Sequence, residues 1–227
     1  MKNLSKISSA ADILNIVNEL GFLPFFKNRI HGFSIEEMCE PQVWFKDTDG
    51  PWEWKGPVIR TGECIYGKFL NGKACYISRE WIPDFLNFRR DGYDFDSRYE
   101  IGLAGYRDLN VYDTVSRYGS ILSKKLKSLC GYTKAGGEKG FDGIITRLQM
   151  QGYICISDFE YMIDKHGNRY GWGVARYSTP EEIFGYEFCS SAYSREPQES
   201  YNRIIRHISS LYPNSMGSDM EKLFRYR

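Results

Sequence analysis

Apolar positions along the chain fall into short runs separated by glycine and proline, and the spacing within each run selects its element. Ile13, Ile16, Val17 and Leu20 recur at i, i+3, i+4 and i+7, with Ser9 placed to cap and Gly21 to stop, which predicts a helix. The aromatic stretch through Trp44, Phe45, Trp52 and Trp54 has no such period and reads as loop. Residues 63–70 and 73–79 flank Asn71 and Gly72, a pair suited to a type I′ turn, and predict a hairpin. Residues 81–88 read as a short apolar helical turn interrupted by Pro83, and residues 96–118 as one or two helices.

From Gly119 onward the pattern is more informative. Ser120 and Ser123 offer caps to a short helix carrying Ile121, Leu122, Leu126 and Leu129, ending near Gly131. A turn of small residues at 133–137 leads into a second helix with Phe141, Ile144, Ile145 and Leu148 on one face. Gly152 breaks that pattern. Residues 153–163 and 170–177 then read as two strands joined by a polar loop at 164–168. Helix, turn, helix and a two-stranded wing is the order of a winged helix-turn-helix.

Two helices follow. Thr179, Pro180 and Glu182 form a helix-start signature, and Pro197 opens a longer helix that turns Tyr201, Ile204, Ile205 and Ile208 inward and ends before Pro213. The tail from Asn214 predicts a last short helix through Met220, Leu223 and Phe224. The expected fold is therefore α+β. A helix and β-hairpin region (1–118) is followed by a winged helix-turn-helix (119–178) and C-terminal helices (179–227), all within one compact unit.

Composition narrows the class. The chain has 227 residues, enough for a sizeable core, with 42% hydrophobic and 26% charged residues. No apolar run approaches the roughly 20 residues of a membrane span, and the first nine residues lack the hydrophobic run of a signal peptide. The cysteines at 39, 64, 75, 130, 155 and 189 include no C-x-x-C pair and read as reduced, buried thiols, and His31, His166 and His207 stand apart. These features predict a cytoplasmic protein with no metal and no cofactor.

The net charge is only +1, so any attraction to nucleic acid must be local. Between Arg117 and Gln151 seven basic residues face two acidic ones, a local balance of +5. Lys124, Lys125, Lys127, Lys134 and Lys139 are candidate phosphate contacts. Thr146 and Arg147, on the outward face of the second helix, are candidates for phosphate or base edges. Double-stranded DNA is the expected partner, and the alternative is a lysine-rich surface that is simply solvated. Arg89 and Arg90 read equally as a phosphate grip or a solvated helix end. Trp44, Trp52, Trp54, Tyr66 and Trp81 fit either a packed core or a pocket that stacks a base.

The run Thr146 to Gln151, a wing ending Tyr170-Gly171-Trp172-Gly173-Val174-Ala175, and the segments Gly67-Lys68-Phe69 and Ile77 to Trp81 give the chain a resemblance. It resembles bacterial proteins related to the AlkZ/YcaQ family of winged-helix DNA glycosylases. Those glycosylases remove alkylated or crosslinked bases and carry a Gln-apolar-Gln or Gln-apolar-Asp motif that positions the attacking water. Gln149-Met150-Gln151 matches the first of these patterns, so the resemblance implies Gln149 and Gln151 as catalytic residues. On a helix, however, the two amides point about 200° apart, and they converge only on extended backbone. Asp158, Glu160, Asp91, Asp94 and Asp96 are the carboxylates available to assist, and the sequence does not select among them.

The leading expectation is a winged-helix DNA-binding protein that recognises or removes damaged bases. If it is an enzyme, it hydrolyses N-glycosidic bonds. A non-enzymatic winged helix for protein contacts or transcriptional regulation is the alternative, and a small-molecule sensor built on the aromatic N-terminal region is a third reading.

Overall fold

The computed structural model describes residues 6–45, 49–133, 136–167 and 169–225. Helix α1 (Ala10–Leu20) begins where the Ser9 hydroxyl accepts from the Asp12 amide, stops at Gly21 and buries Ile13, Ile16, Val17 and Leu20. Strand β1 (Phe22–Pro24) follows. The stretch expected to be loop holds three helices: α2 (Ile35–Met38), α3 (Pro41–Trp44) and α4 (Pro51–Ile59). A serine cap starts the first of these and proline at the first turn starts the other two, so their signal is in the caps and not in an apolar period.

Strands β2 (Cys64–Leu70) and β3 (Lys73–Ser78) form the expected hairpin. Asn71 and Gly72 both take positive φ, 51° and 70°, as a type I′ turn requires. A 3-10 turn (Arg79–Trp81) leads into α5 (Ile82–Arg90). Pro83 lies in the first turn of α5, where its missing N–H costs nothing, so it opens this helix and does not interrupt it. Next come α6 (Phe95–Glu100) and α7 (Tyr106–Tyr118), two helices where one or two were expected.

Strand β4 (Ile121–Leu122) is a departure, because both residues were assigned to a helix. They pair with Tyr177 and Arg176 instead, and α8 (Ser123–Leu129) begins only after them. Leu126 is its buried residue, while Leu129 is exposed. Helix α9 (Phe141–Met150) buries Phe141, Ile144, Ile145 and Leu148 as expected. Strands β5 (Cys155–Ile163) and β6 (Arg169–Ser178) form a long hairpin. The chain closes with α10 (Pro180–Phe184), α11 (Tyr186–Cys189), α12 (Pro197–Leu211) and α13 (Gly217–Phe224). Thr179 caps α10 by accepting from the Glu182 amide, as its position in the sequence predicts.

One six-stranded sheet, β1-β3-β2-β5-β6-β4, joins residues on both sides of position 118, and every neighbouring pair is antiparallel. The fold class is thus α+β. Strands β2 and β5 are held together by the single pair Tyr66–Ile156 before they part. Helix α9 packs on β2 and α7 at that point. Gly67 permits the approach, since a Cβ there would meet Gln149 Oε1 at 3.0 Å and the Phe69 ring at 2.8 Å. Helix α12 packs on α5 around the buried Asp84, which accepts from Ser200 Oγ at 2.7 Å, Arg195 Nη1 at 2.9 Å and Arg203 Nε at 3.2 Å.

All six cysteines are buried and unpaired with one another. Burial pushes the Cys39, Cys64 and Cys189 thiols up to about 12, so they are protonated and unreactive near neutrality. Among the described residues no helix is long and apolar enough to cross a membrane, and no group of His, Cys, Asp or Glu has the makings of a metal site.

Candidate nucleic-acid interface

The basic side chains singled out in the sequence converge on α8, α9 and the segment between them. Lys124 and Lys125 are exposed in the first turn of α8, which has no acidic residue to offset them. The Lys125 ammonium lies 4.5 Å from the Tyr118 ring centre. Lys127 is half-buried, 5.2 Å above the Phe141 ring, and 3.5 Å from the Asp142 carboxylate. Lys139 is exposed two residues before α9, and among the described residues neither it nor Lys124 pairs with a carboxylate. Lys134 lies outside the described residues.

The outward face of α9 is divided. At its C-terminal end the β2–β3 turn covers it. Lys68 Nζ donates to Thr146 Oγ1 at 3.4 Å, and a Cβ on Gly72 would lie 3.3 Å from the Thr146 methyl. Arg147 is exposed but bonded to Asp108 on α7. Asp142 and Gly143, at the N-terminal end, remain open. Beside them a cleft of about 580 Å³ runs between the start of α7 and the start of α9, lined by Arg107, Tyr132, Glu138, Lys139 and Arg147. Arg107 and Glu138 are ion-paired across it.

Gln149 and Gln151 occupy a different environment. Helical geometry continues through Gln151, whose φ and ψ are −80° and −6°, so the extended backbone that would bring both amides together is absent. Gln149 is fully buried. Its Oε1 accepts from the Lys68 amide at 3.0 Å and its Nε2 donates to the Ile145 carbonyl at 2.9 Å. Lys68 lies just beyond the point where β2 and β5 part, so this side chain supplies the partner that a neighbouring strand would have given. Gln151 is 4% exposed. Of the carboxylates available to assist, Asp158 is bonded to Arg60 at 2.6 Å and Glu160 to Arg176 at 2.9 Å. Asp94 caps α6, and bonds from the Ser97 amide and hydroxyl hold its carboxyl below the usual range.

One sequence reading is corrected, and one alternative is decided in favour of a packed core. Arg89 and Arg90 are neither a phosphate grip nor a solvated helix end, being 2% and 5% exposed. Arg89 donates to the Phe69 carbonyl at 3.1 Å; Arg90 bonds to Glu181, to the Tyr193 hydroxyl at 2.8 Å and to the Gly152 carbonyl at 2.8 Å. Trp44, Trp54, Tyr66 and Trp81 are buried in the core, and only Trp52 among those five aromatics is half-buried.

The geometry describes an α+β protein with a cationic helical surface and a neighbouring cleft edged by charged side chains. Compared with known families, residues 7–225 match the model described as AlkZ related, so the chain belongs to the AlkZ-related family. Comparison with curated proteins and with solved structures gives no match.

Proposed function

We propose that residues 106–178 form a winged-helix unit through which the protein binds duplex DNA. The observation that carries this reading is the element order. α7, β4, α8 and α9 are followed by the β5–β6 hairpin, and β4 returns to pair with the outer strand of that hairpin. In this reading α9 is the helix presented to the groove and the β5–β6 hairpin is the wing. Lys124, Lys125 and Lys139 bind phosphates, joined by Lys127 and Arg147 once DNA competes for their carboxylate partners. Lys134 is assigned to the same set from its place in the sequence.

Coverage of α9 by the β2–β3 turn leaves few side chains to read base edges, which supports binding with little sequence preference. AlkZ-related membership supports a role at damaged DNA, either recognition or base removal. For Gln149 and Gln151 the family motif suggests a catalytic pair, whereas the two main-chain hydrogen bonds of the buried Gln149 amide favour a structural tie, and we adopt the tie for Gln149.

Fluorescence anisotropy of a labelled duplex across a salt series tests the proposal. Binding should weaken steeply with salt, and the Lys124→Ala/Lys125→Ala/Lys127→Ala variant should lower the logarithmic slope by about 0.9 for each phosphate it no longer neutralises. Absence of binding at low salt refutes DNA contact and leaves a module for protein contacts. A duplex carrying an alkylated base, followed for base release with Gln149→Ala and Gln151→Ala as controls, separates removal from recognition.

A further inference from the structure

The cleft between the starts of α7 and α9 is bare where a helix ordinarily presents side chains. Gly140, Gly143, Ile144 and Arg147 stand at helical spacing and form the wall that α9 gives to it. A Cβ on Gly140 or Gly143 would meet no atom within 4 Å. Gly140 has a φ of 91°, which favours glycine, but Gly143 has ordinary helical backbone. Alanine is the more stable residue in a helix, and no neighbouring side chain forbids it at position 143. What glycine supplies at such a place is room for another molecule to approach the backbone.

The groups around this opening are of two kinds. Tyr106, at the start of α7, is 71% exposed. Tyr132 is half-buried, with its ring centre 5.2 Å from that of Phe141. Asn110 stands one turn beyond Tyr106 on the same face of α7 and also lines the cleft. Its main-chain carbonyl accepts from Thr114 Oγ1 at 2.7 Å and Cys130 Sγ at 3.7 Å, whereas its side-chain amide bonds to no group among the described residues. The second kind is cationic. Lys139 has no carboxylate partner among the described residues, and Arg107 is paired with Glu138 through side chains 58% and 45% exposed. An ion pair so open to water is weakly held, and a phosphate can take the place of its carboxylate.

We propose that this cleft binds an adenine nucleoside monophosphate, with Arg107 and Lys139 on the phosphate, Tyr106 and Tyr132 against the ring, and the Asn110 amide on the base edge. An asparagine amide offers a donor and an acceptor side by side, the complement of the major-groove edge of adenine. The tyrosine rings are surfaces on which a base stacks. A small anion without a ring would leave the tyrosines and the amide unused. The volume of about 580 Å³ is that of a small-molecule site, and Gly143 lets the ligand lie against the first turn of α9. The proposal does not rest on duplex binding, because a free nucleotide is the ligand.

Isothermal titration calorimetry of the full chain with adenosine monophosphate (AMP), and separately with inorganic phosphate, is the test. AMP should bind at one site per chain and at least about fivefold more tightly than phosphate, the gain from stacking one base. Absence of AMP binding overturns the proposal, and equal affinities overturn the ring contacts. Gly143→Leu is the most direct variant. Leucine favours helix over glycine and enters open space, so thermal unfolding should hold or rise while AMP binding is lost. Binding that survives this variant overturns the cleft as the site. Arg107→Ala should weaken AMP binding by about tenfold, the worth of a hydrogen bond to a charged group. Glu138→Gln should tighten it, because Arg107 is then released to the phosphate. Arg206→Ala, at an exposed position on α12, should leave it unchanged. Equal losses from Arg107→Ala and Arg206→Ala would mean attraction to surface charge in general, and would overturn the proposal.

Discussion

Replacing Gln149 by leucine separates a structural amide from a catalytic one. The side chain is completely buried, and both ends of the amide are bonded to main chain, to the Lys68 N–H at 3.0 Å and the Ile145 carbonyl at 2.9 Å. Leucine fills much of the volume but cannot accept a hydrogen bond. The Ile145 carbonyl, inside α9, keeps the bond that helical geometry supplies. The Lys68 N–H has no such reserve, because β2 and β5 have already parted there. An orphaned buried donor costs about 1–3 kcal/mol, and the greater hydrophobicity of leucine offsets only part of that.

For a chain of this size each kcal/mol moves the melting midpoint by about 2–4 °C, so the expected fall is roughly 2–12 °C. Urea unfolding should show a lower midpoint at unchanged slope, which marks reduced stability and not a changed end state. A variant that unfolds within about 0.5 kcal/mol of the parent refutes the tie, since surface-like effects are of that size. The amide would then be available for chemistry, and a defect confined to base release would return Gln149 to the catalytic role suggested by the family motif.

Two further outcomes follow from charges elsewhere. Asp84→Asn removes the anion that gathers Ser200, Arg195 and Arg203 onto α5. Because the two guanidinium side chains are 39% and 45% exposed and can rehydrate, the loss should be about 1–3 kcal/mol, below the 3–5 of a sealed pair, as measured by urea unfolding. The Asp12 carboxyl is held below its ordinary value by the Ser8 amide first, then by the Ser8 and Ser9 hydroxyls. Its folded pKa is thus depressed relative to the unfolded chain. The stability it contributes is complete above the unfolded value of about 3.9 and disappears as pH falls through the folded value. Ser8→Ala should raise the Asp12 pKa only part of the way, because the main-chain bond remains; carbon NMR of the carboxyl measures this, and no change refutes the assignment.

What could be read from the sequence was what the chain encodes locally. Ser9 and Gly21 bracket α1, Asn71 and Gly72 make the hairpin turn, and Thr179 caps α10, each through groups a few residues apart. The buried face of α9 was legible for the same reason. Ile121 and Leu122 were misassigned because the rule that places them is long-range: their partners Tyr177 and Arg176 are more than 50 residues away. Arg89 and Arg90 failed likewise, since Phe69 for the first and Gly152, Glu181 and Tyr193 for the second leave no mark beside them. For α4, Gly56 and Pro57 argue against a helix, and only its short length, with Pro57 near the end, makes the missing N–H tolerable.

Net charge also proves a poor guide to the interface, because much of the positive charge is consumed inside the fold. Arg89 and Arg90 are buried, and Arg195 and Arg203 serve Asp84. Arg107 and Arg147 are paired with Glu138 and Asp108, and Lys127 is near Asp142. Of the seven basic residues between Arg117 and Gln151, that leaves Arg117, Lys124, Lys125 and Lys139 exposed and free of ion pairs among the described residues. If those four neutralise the phosphates, the logarithmic salt slope should be about −3 to −4. A slope near −1 would mean that the exposed lysines do not act together as one phosphate-binding face. A slope steeper than about −6 would require Lys127, Arg147 and Lys134 as well, with the Asp142 and Asp108 pairs broken on binding. The salt series therefore reports which internal ion pairs survive binding, which the sum of charges along the chain cannot.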